Sequence, residues 1–129
     1  MKIGFCLGRF DVLHLGHIDL FKTAKRHCNF LIVEVMDNSF KGLKKKKSAF
    51  NLFERVKILR AIKYIDRVIS FNTEEKVYAW LRKNKPNLLV TGGEYRTNQP
   101  LKKFFENVVY TKNMNSSTKI KKRIAQMYR

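Results

Sequence analysis

Residues 2-KIGFCLGRFDVLHLGHIDLFKTAKRHCNFLIVEVM-36 decide how this chain is organised. The run 2-KIGFCL-7 reads as a short buried strand, and Gly8 opens a loop. A helix is predicted from about Gly16 to Arg26, with Ile18, Leu20, Phe21 and Ala24 at roughly helical spacing. The run 30-FLIVEVM-36 is nearly continuously apolar, as a strand covered on both faces should be. Strand, helix and strand in so short a span form a crossover unit, which joins parallel strands.

The alternation continues beyond it. Residues 37-DNSFKGLKKKKSAF-50 are polar, with Gly42 and a lysine run, and read as a loop. Asn51 is placed to cap a helix carrying Leu52, Val56, Leu59 and Ile62 or Lys63 at helical spacing, with Glu54 at the reciprocal capping-box position. A third strand is predicted at 66-DRVISF-71 and a helix over 73–84, with Val77, Trp80 and Leu81 on one face. Pro86 precedes the strand 88-LLVT-91, which Gly92 and Gly93 break. A short helix around 100-PLKKFFE-106 leads to a strand at 108-VVY-110. Ser116 or Ser117 then caps a basic final helix containing Ile120, Ile124 and Met127. This order predicts a single α/β domain over residues 1–129, a five-stranded parallel sheet with helices on both faces.

Composition sets outer limits. Hydrophobic residues make up 44% of the 129, enough for one core. No apolar run approaches the length of a membrane span, so no transmembrane segment is expected. The strand pattern begins at once, which predicts no secretory signal and a cytoplasmic location. Cys6 and Cys28 lack a CxxC neighbour and are expected as free thiols. Lys and Arg outnumber Asp and Glu by 28 to 10, a formal charge of +18 that favours anionic partners. The position of that charge says more than its total. It gathers at 44-KKKK-47 and at Lys119, Lys121, Lys122 and Arg123. No aromatic-basic module, helix-turn-helix or zinc pattern accompanies it, which argues against nucleic acid as the partner.

In an open parallel sheet, ligands bind beyond the carboxyl ends of the strands. That rule gathers Arg9 to His17, the lysine run, 92-GGEYR-96 and 111-TKNMNSST-118 into one site. Two of the chain's 3 histidines, His14 and His17, stand there, three apart around Gly16. A packing role, a metal pair and a phosphate site are the readings. The metal pair lacks a third and fourth ligand at usual spacing, so no protein-held metal site is expected. The phosphate site has direct support, since free N–H groups at a helix start favour an anion and imidazoles donate to phosphate oxygens.

The segment 14-HLGH-17, following a strand and the pair 10-FD-11, resembles the HxGH signature of the nucleotidyltransferase superfamily. Within it the chain is most similar to the cytidylyltransferases, above all those acting on glycerol 3-phosphate. The likeness extends through 40-FKGLKKKKSAFNLFERVKILRAIKYIDRVI-69, with the pair Glu54–Arg55, to 116-SSTKI-120. It implies a Rossmann-like fold and nucleotidyl transfer to a phosphorylated small molecule with release of pyrophosphate. Mg²⁺ would accompany the triphosphate.

The resemblance also assigns roles. His14 and His17 stabilise the transferring α-phosphate, and Lys44 and Lys46 assist from the lysine loop. The nucleotide is met by Gly8, Arg9, Phe10, His14, His17, Gly92, Glu94, Tyr95, Lys112, Ser116, Ser117 and Thr118. Asp11, Lys44, Lys46, Arg55 and Lys63 fall on the acceptor side; Asp11 and Phe10 shape the loop rather than exchange protons. Arg55 serves equally well as a phosphate ligand or as a structural tie. Lys63 stands where the glycerol-3-phosphate enzymes usually carry arginine.

The departures bear on the substrates. Arg9 replaces the usual threonine, as in many adenylyltransferases of the superfamily. The loop 92-GGEY-95 resembles adenylyltransferases acting on heptose 1-phosphate, and 111-TKNMNSST-118 shortens a family segment. CTP with glycerol 3-phosphate is the main reading, and ATP with a sugar 1-phosphate the alternative. A nucleic-acid-binding protein or a nonenzymatic regulatory subunit are rivals of another class. The resemblance further implies a homodimer, to which 50-FNLF-53 adds exposed aromatic surface.

Overall fold

A computed structural model describes residues 1–37, 47–92, 99–111 and 117–128, with only the backbone at 99, 100, 117 and 118. Among them the order is β1 (Ile3–Gly8), α1 (Leu15–Arg26), β2 (Phe30–Met36), α2 (Leu52–Arg60), β3 (Arg67–Phe71), α3 (Glu74–Asn84), β4 (Leu88–Thr91), α4 (Gln99–Lys102), β5 (Asn107–Tyr110) and α5 (Ser117–Met127). The strands form one parallel sheet in the order β3-β2-β1-β4-β5. The chain therefore winds outward from β1 to β3, then returns to lay β4 on the other side of β1. The crevice between β1 and β4 is the switch point where such sheets bind ligands.

Alternation along the strands sorts the core onto two faces. Cys6, Leu31, Val33, Val35, Leu88 and Val90 meet Leu20, Phe21 and Ala24 of α1 and Leu59 of α2. Phe5, Leu7, Ile32 and Leu89 meet Val77 and Leu81 of α3, and Leu101 of α4. Each large apolar side chain buried this way contributes about 1.5–3 kcal/mol. The expected α/β sheet with helices on both faces is what forms. None of the helices among the described residues is long and apolar enough to cross a membrane. Cys6 and Cys28 are free thiols.

Local signals set most boundaries. Asn51 Oδ1 accepts from Glu54 N at 2.9 Å while Glu54 Oε1 accepts from Asn51 N at 3.0 Å, completing the capping box that starts α2. Thr73 caps α3, whose first turn holds Glu74 and Glu75 and whose last holds Arg82 and Lys83, in accord with the helix dipole. Lys85, at φ 45°, ends it in the left-handed region just before Pro86. The fourth helix is shorter than expected. It stops at Lys102, and Phe104 and Phe105 lie in the turn beyond, where Phe105 is buried against the α3 side of the sheet. Ser117 lies inside α5 rather than before it, and Ser116 lies outside the described residues.

Candidate active site

The site begins with the turn that leaves β1. A Cβ at Gly8 would stand 2.6 Å from the Phe10 ring, so only glycine lets that ring fold back. Phe10 itself adopts φ 49°, a conformation that costs a non-glycine residue on the order of 1 kcal/mol. Its ring meets His17 edge-on at 5.3 Å and Phe21 at 5.2 Å. Phe10 is buried, so it supports His17 from beneath instead of facing a nucleotide.

His14 caps α1. Its Nδ1 accepts from Gly16 N at 3.0 Å, and its carbonyl accepts from His17 N and Ile18 N. A neutral imidazole that accepts at Nδ1 carries its proton on Nε2. Nε2 is buried and has no hydrogen-bond partner among the described residues, nor has Nδ1 of His17. The two rings stack with centroids 3.9 Å apart. Burial lowers the pKa of His14; burial and the His14 neighbour push His17 down to about 4. Both rings are therefore neutral near pH 7, when His14 presents a fixed N–H donor. The amide of Gly16, expected to face an anion, is instead spent on His14.

Around this pair lies a polar scaffold. Asp11, 3% exposed, accepts from Ala49 N and Phe50 N at 2.9 Å each and from the Lys121 ammonium. Burial pushes its pKa up, but Lys121 and the two amides outweigh this and hold it below the usual carboxylate value. Arg9 donates to Ser48 Oγ at 2.7 Å. Arg55, 1% exposed, donates from Nη1 to the carbonyls of Arg9 and Met36, both at 2.9 Å. Arg55 thus ties the loop to β2 through Nη1, while its buried Nε has no partner among the described residues. Asp11 likewise spends its oxygens on the protein and not on an acceptor.

Lys63 is exposed in the turn between α2 and β3, its ammonium 5.2 Å from the Tyr64 ring centroid. That turn lies at the edge where strands begin, opposite the histidines, so the chain's own fold does not bring Lys63 to the site. Gly92 follows β4 directly, at the switch point, where its carbonyl accepts from Thr91 Oγ1 at 3.3 Å. Lys44, Lys46, Glu94, Tyr95, Lys112 and Ser116 lie outside the described residues. Ser117 and Thr118 form the first turn of α5.

Two side chains escape a motif-based reading. Lys121 reads as one more charge of a basic helix; only its spacing of one turn from Ser117 hints otherwise. Glu34 is a lone acid inside 30-FLIVEVM-36, a signal in plain view. Among the described residues, no three His, Cys, Asp or Glu side chains gather as a metal site.

Residues 5–123 match the cytidylyltransferase-like family model. The chain belongs to that family, whose members are nucleotidyltransferases of the HxGH type. It is 41% identical over 97 residues to the bifunctional protein HldE of Hyphomonas neptunium, covering 74% of this chain and 20% of that protein. The bifunctional protein HldE of Gluconacetobacter diazotrophicus is 36% identical over 101 residues, covering 77% and 21%. The chain thus spans about a fifth of the length of these curated relatives. The fold is shared with the lipopolysaccharide core biosynthesis protein of Thermoplasma volcanium, with a TM-score of 0.72 at 24% identity over 89% of this chain and 99% of that one.

Proposed function

We propose that this site transfers an adenylyl group from ATP to a sugar 1-phosphate of the heptose type and releases pyrophosphate. The observation that carries nucleotidyl transfer is the His14 tautomer. Gly16 N–H fixes Nδ1 as acceptor and so leaves an Nε2–H donor at the N-cap of α1, beside the β1–β4 crevice. An acceptor phosphate oxygen attacks the α-phosphorus in line, and the bond to the bridging oxygen of pyrophosphate breaks. The acceptor is already ionised, so no base is needed. His14 and His17 donate to the α-phosphate as charge builds.

The choice of ATP over CTP moves from the main sequence reading to its alternative. The similarity to HldE supports it, together with Arg9 and the resemblance of 92-GGEY-95 to heptose 1-phosphate adenylyltransferases. Mg²⁺ enters with the triphosphate as part of the substrate. Lys44, Lys46 and Lys112 neutralise phosphate oxygens, Gly92, Glu94 and Tyr95 meet the base, and Ser116, Ser117 and Thr118 hold the β- and γ-phosphates. The enzyme works in the cytoplasm as a homodimer; Phe53, exposed on α2, supplies apolar surface for the pairing.

Pyrophosphate release tests this directly, with ATP and CTP each paired with heptose 1-phosphate, glucose 1-phosphate and glycerol 3-phosphate. ATP with a sugar 1-phosphate should exceed CTP with glycerol 3-phosphate by at least about ten-fold, the discrimination that one mismatched buried polar group provides. The reverse order restores the cytidylyl reading. His14→Ala and His17→Ala should each lower turnover by about ten- to thousand-fold. Full turnover in both would remove the role assigned to the pair.

A further inference from the structure

Three segments distant in sequence converge on one carboxylate. Asp11 lies on the β1 loop, three residues before His14. Its Oδ1 accepts from Phe50 N, and its Oδ2 accepts from Ala49 N and from Lys121 Nζ. Ala49 and Phe50 lead into the capping box of α2. Lys121 stands one turn beyond Ser117, the first residue of α5. Among the described residues, Arg9 also reaches Ser48, and Arg55 reaches the carbonyls of Arg9 and Met36. Beyond the Asp11 contact, α5 is largely exposed, with Ile124, Met127 and Tyr128 open to solvent.

We propose that Lys121 is a positioning residue, which through Asp11 sets the first turn of α5 against the histidine loop and couples it to the segment at Ala49–Phe50. The inference rests on the nucleotidyltransferase reading only where it concerns catalysis. A helix so exposed takes its orientation from the polar contacts that it makes, Lys121 to Asp11 among them. An ion pair to a buried carboxylate is the strongest kind available, since that carboxylate is already fixed by two amides. Lys121 keeps contact with solvent, at 34% side-chain exposure, and without it the buried Asp11 carboxylate loses its counter-ion but keeps the two amide donors of Ala49 and Phe50. Its removal frees the helix without unfolding the sheet. The N–H groups of the first turn of α5, which suit phosphate oxygens, would then lose their fixed distance from His14.

The test compares wild type with Lys121→Met, Lys121→Arg, Asp11→Asn and the Asp11→Asn/Lys121→Met double variant. Amide hydrogen exchange, measured without nucleotide, comes first. Lys121→Met should speed exchange by about five-fold or more both in α5 and at Ala49–Phe50, as local opening requires. Faster exchange in α5 alone would overturn the coupling. Kinetics follow, by pyrophosphate release with ATP and CTP. Lys121→Met should raise the triphosphate KM about ten-fold while kcat changes less than about three-fold, and Lys121→Arg should restore most of the loss. The double variant should be no worse than Asp11→Asn by more than about three-fold, because both changes break one connection. Additive losses would mean that Lys121 acts on phosphate by itself, and an unaltered KM would mean that it positions nothing. A wild-type protein that turns over neither nucleotide would refute the functional reading, while the exchange data still decide the coupling.

Discussion

Asp11 and Glu34 are both carboxylates almost fully removed from water, at 3% and 0% exposure, yet the protein holds them in opposite charge states. Asp11 accepts two amides and an ammonium and stays ionised. Glu34 faces Leu7 and Ile69 across its neighbouring strands, on the α3 side of the sheet. Its Oε1 accepts one long bond from Phe71 N, 3.3 Å, and Oε2 has no partner among the described residues. Burial raises its pKa to about 9, so it is protonated at neutral pH. The difference lies in the number of donors and also in depth, since Asp11 sits in the loop beyond β1 while Glu34 lies within β2, an interior strand of the sheet. A carboxylate can be buried and charged only where the backbone has been folded to serve it.

Removing Asp11 should cause the largest loss. Asp11→Ala strands the amides of Ala49 and Phe50 and releases Lys121, and should lower stability by about 3–4 kcal/mol in urea unfolding. A loss below about 1 kcal/mol would mean that water serves those amides as well as Asp11 does, and would erase the contrast with Glu34.

Glu34 should respond in the opposite direction. Its folded pKa, about 9, exceeds its ordinary 4.5. The carboxyl therefore stabilises the fold fully below about pH 4.5, and that contribution is lost as pH rises toward 9. Glu34→Gln cannot ionise. If it matches wild type near pH 5, it should exceed it by about 4 kcal/mol at pH 8, read from thermal unfolding across pH. A gap independent of pH would show that Glu34 is ionised in the fold. His17 contributes with the reverse slope, since a histidine held neutral down to about 4 makes the fold gain stability as pH rises from there toward 6.5.

Asp66 sharpens the comparison at its mild end. It also accepts a backbone amide, Leu31 N at 2.8 Å, and pairs with Lys25, but at 31% side-chain exposure. Burial pushes its pKa up and the Lys25 and Leu31 donors bring it below the usual value, so its stabilisation is present above about pH 4 and lost as pH falls through the folded pKa. Asp66→Asn should cost about 1 kcal/mol, because water replaces part of what is lost. A cost equal to that of Asp11→Ala would show that burial does not set the scale.

Much of this molecule is local in origin and therefore legible in its residues. The apolar runs of β1, β2 and β4 and the box at Asn51 and Glu54 set the elements with groups a few residues apart. The order of elements gave the parallel sheet, and 14-HLGH-17 after the first strand gave the family, because its chemistry fits within one turn of helix. The fate of the charged side chains was another matter. Arg55, Lys63, Asp11 and Lys121 look alike in sequence, as polar groups available for a ligand. Folding sealed Arg55 on two carbonyls, left Lys63 at the far edge, and joined Asp11 to a lysine 110 residues away. Residue type fixes what a group can donate or accept. Its partners and its depth come from contacts across the sheet, which no local pattern encodes, and those contacts decide whether it binds a ligand, holds the backbone or gives up its charge.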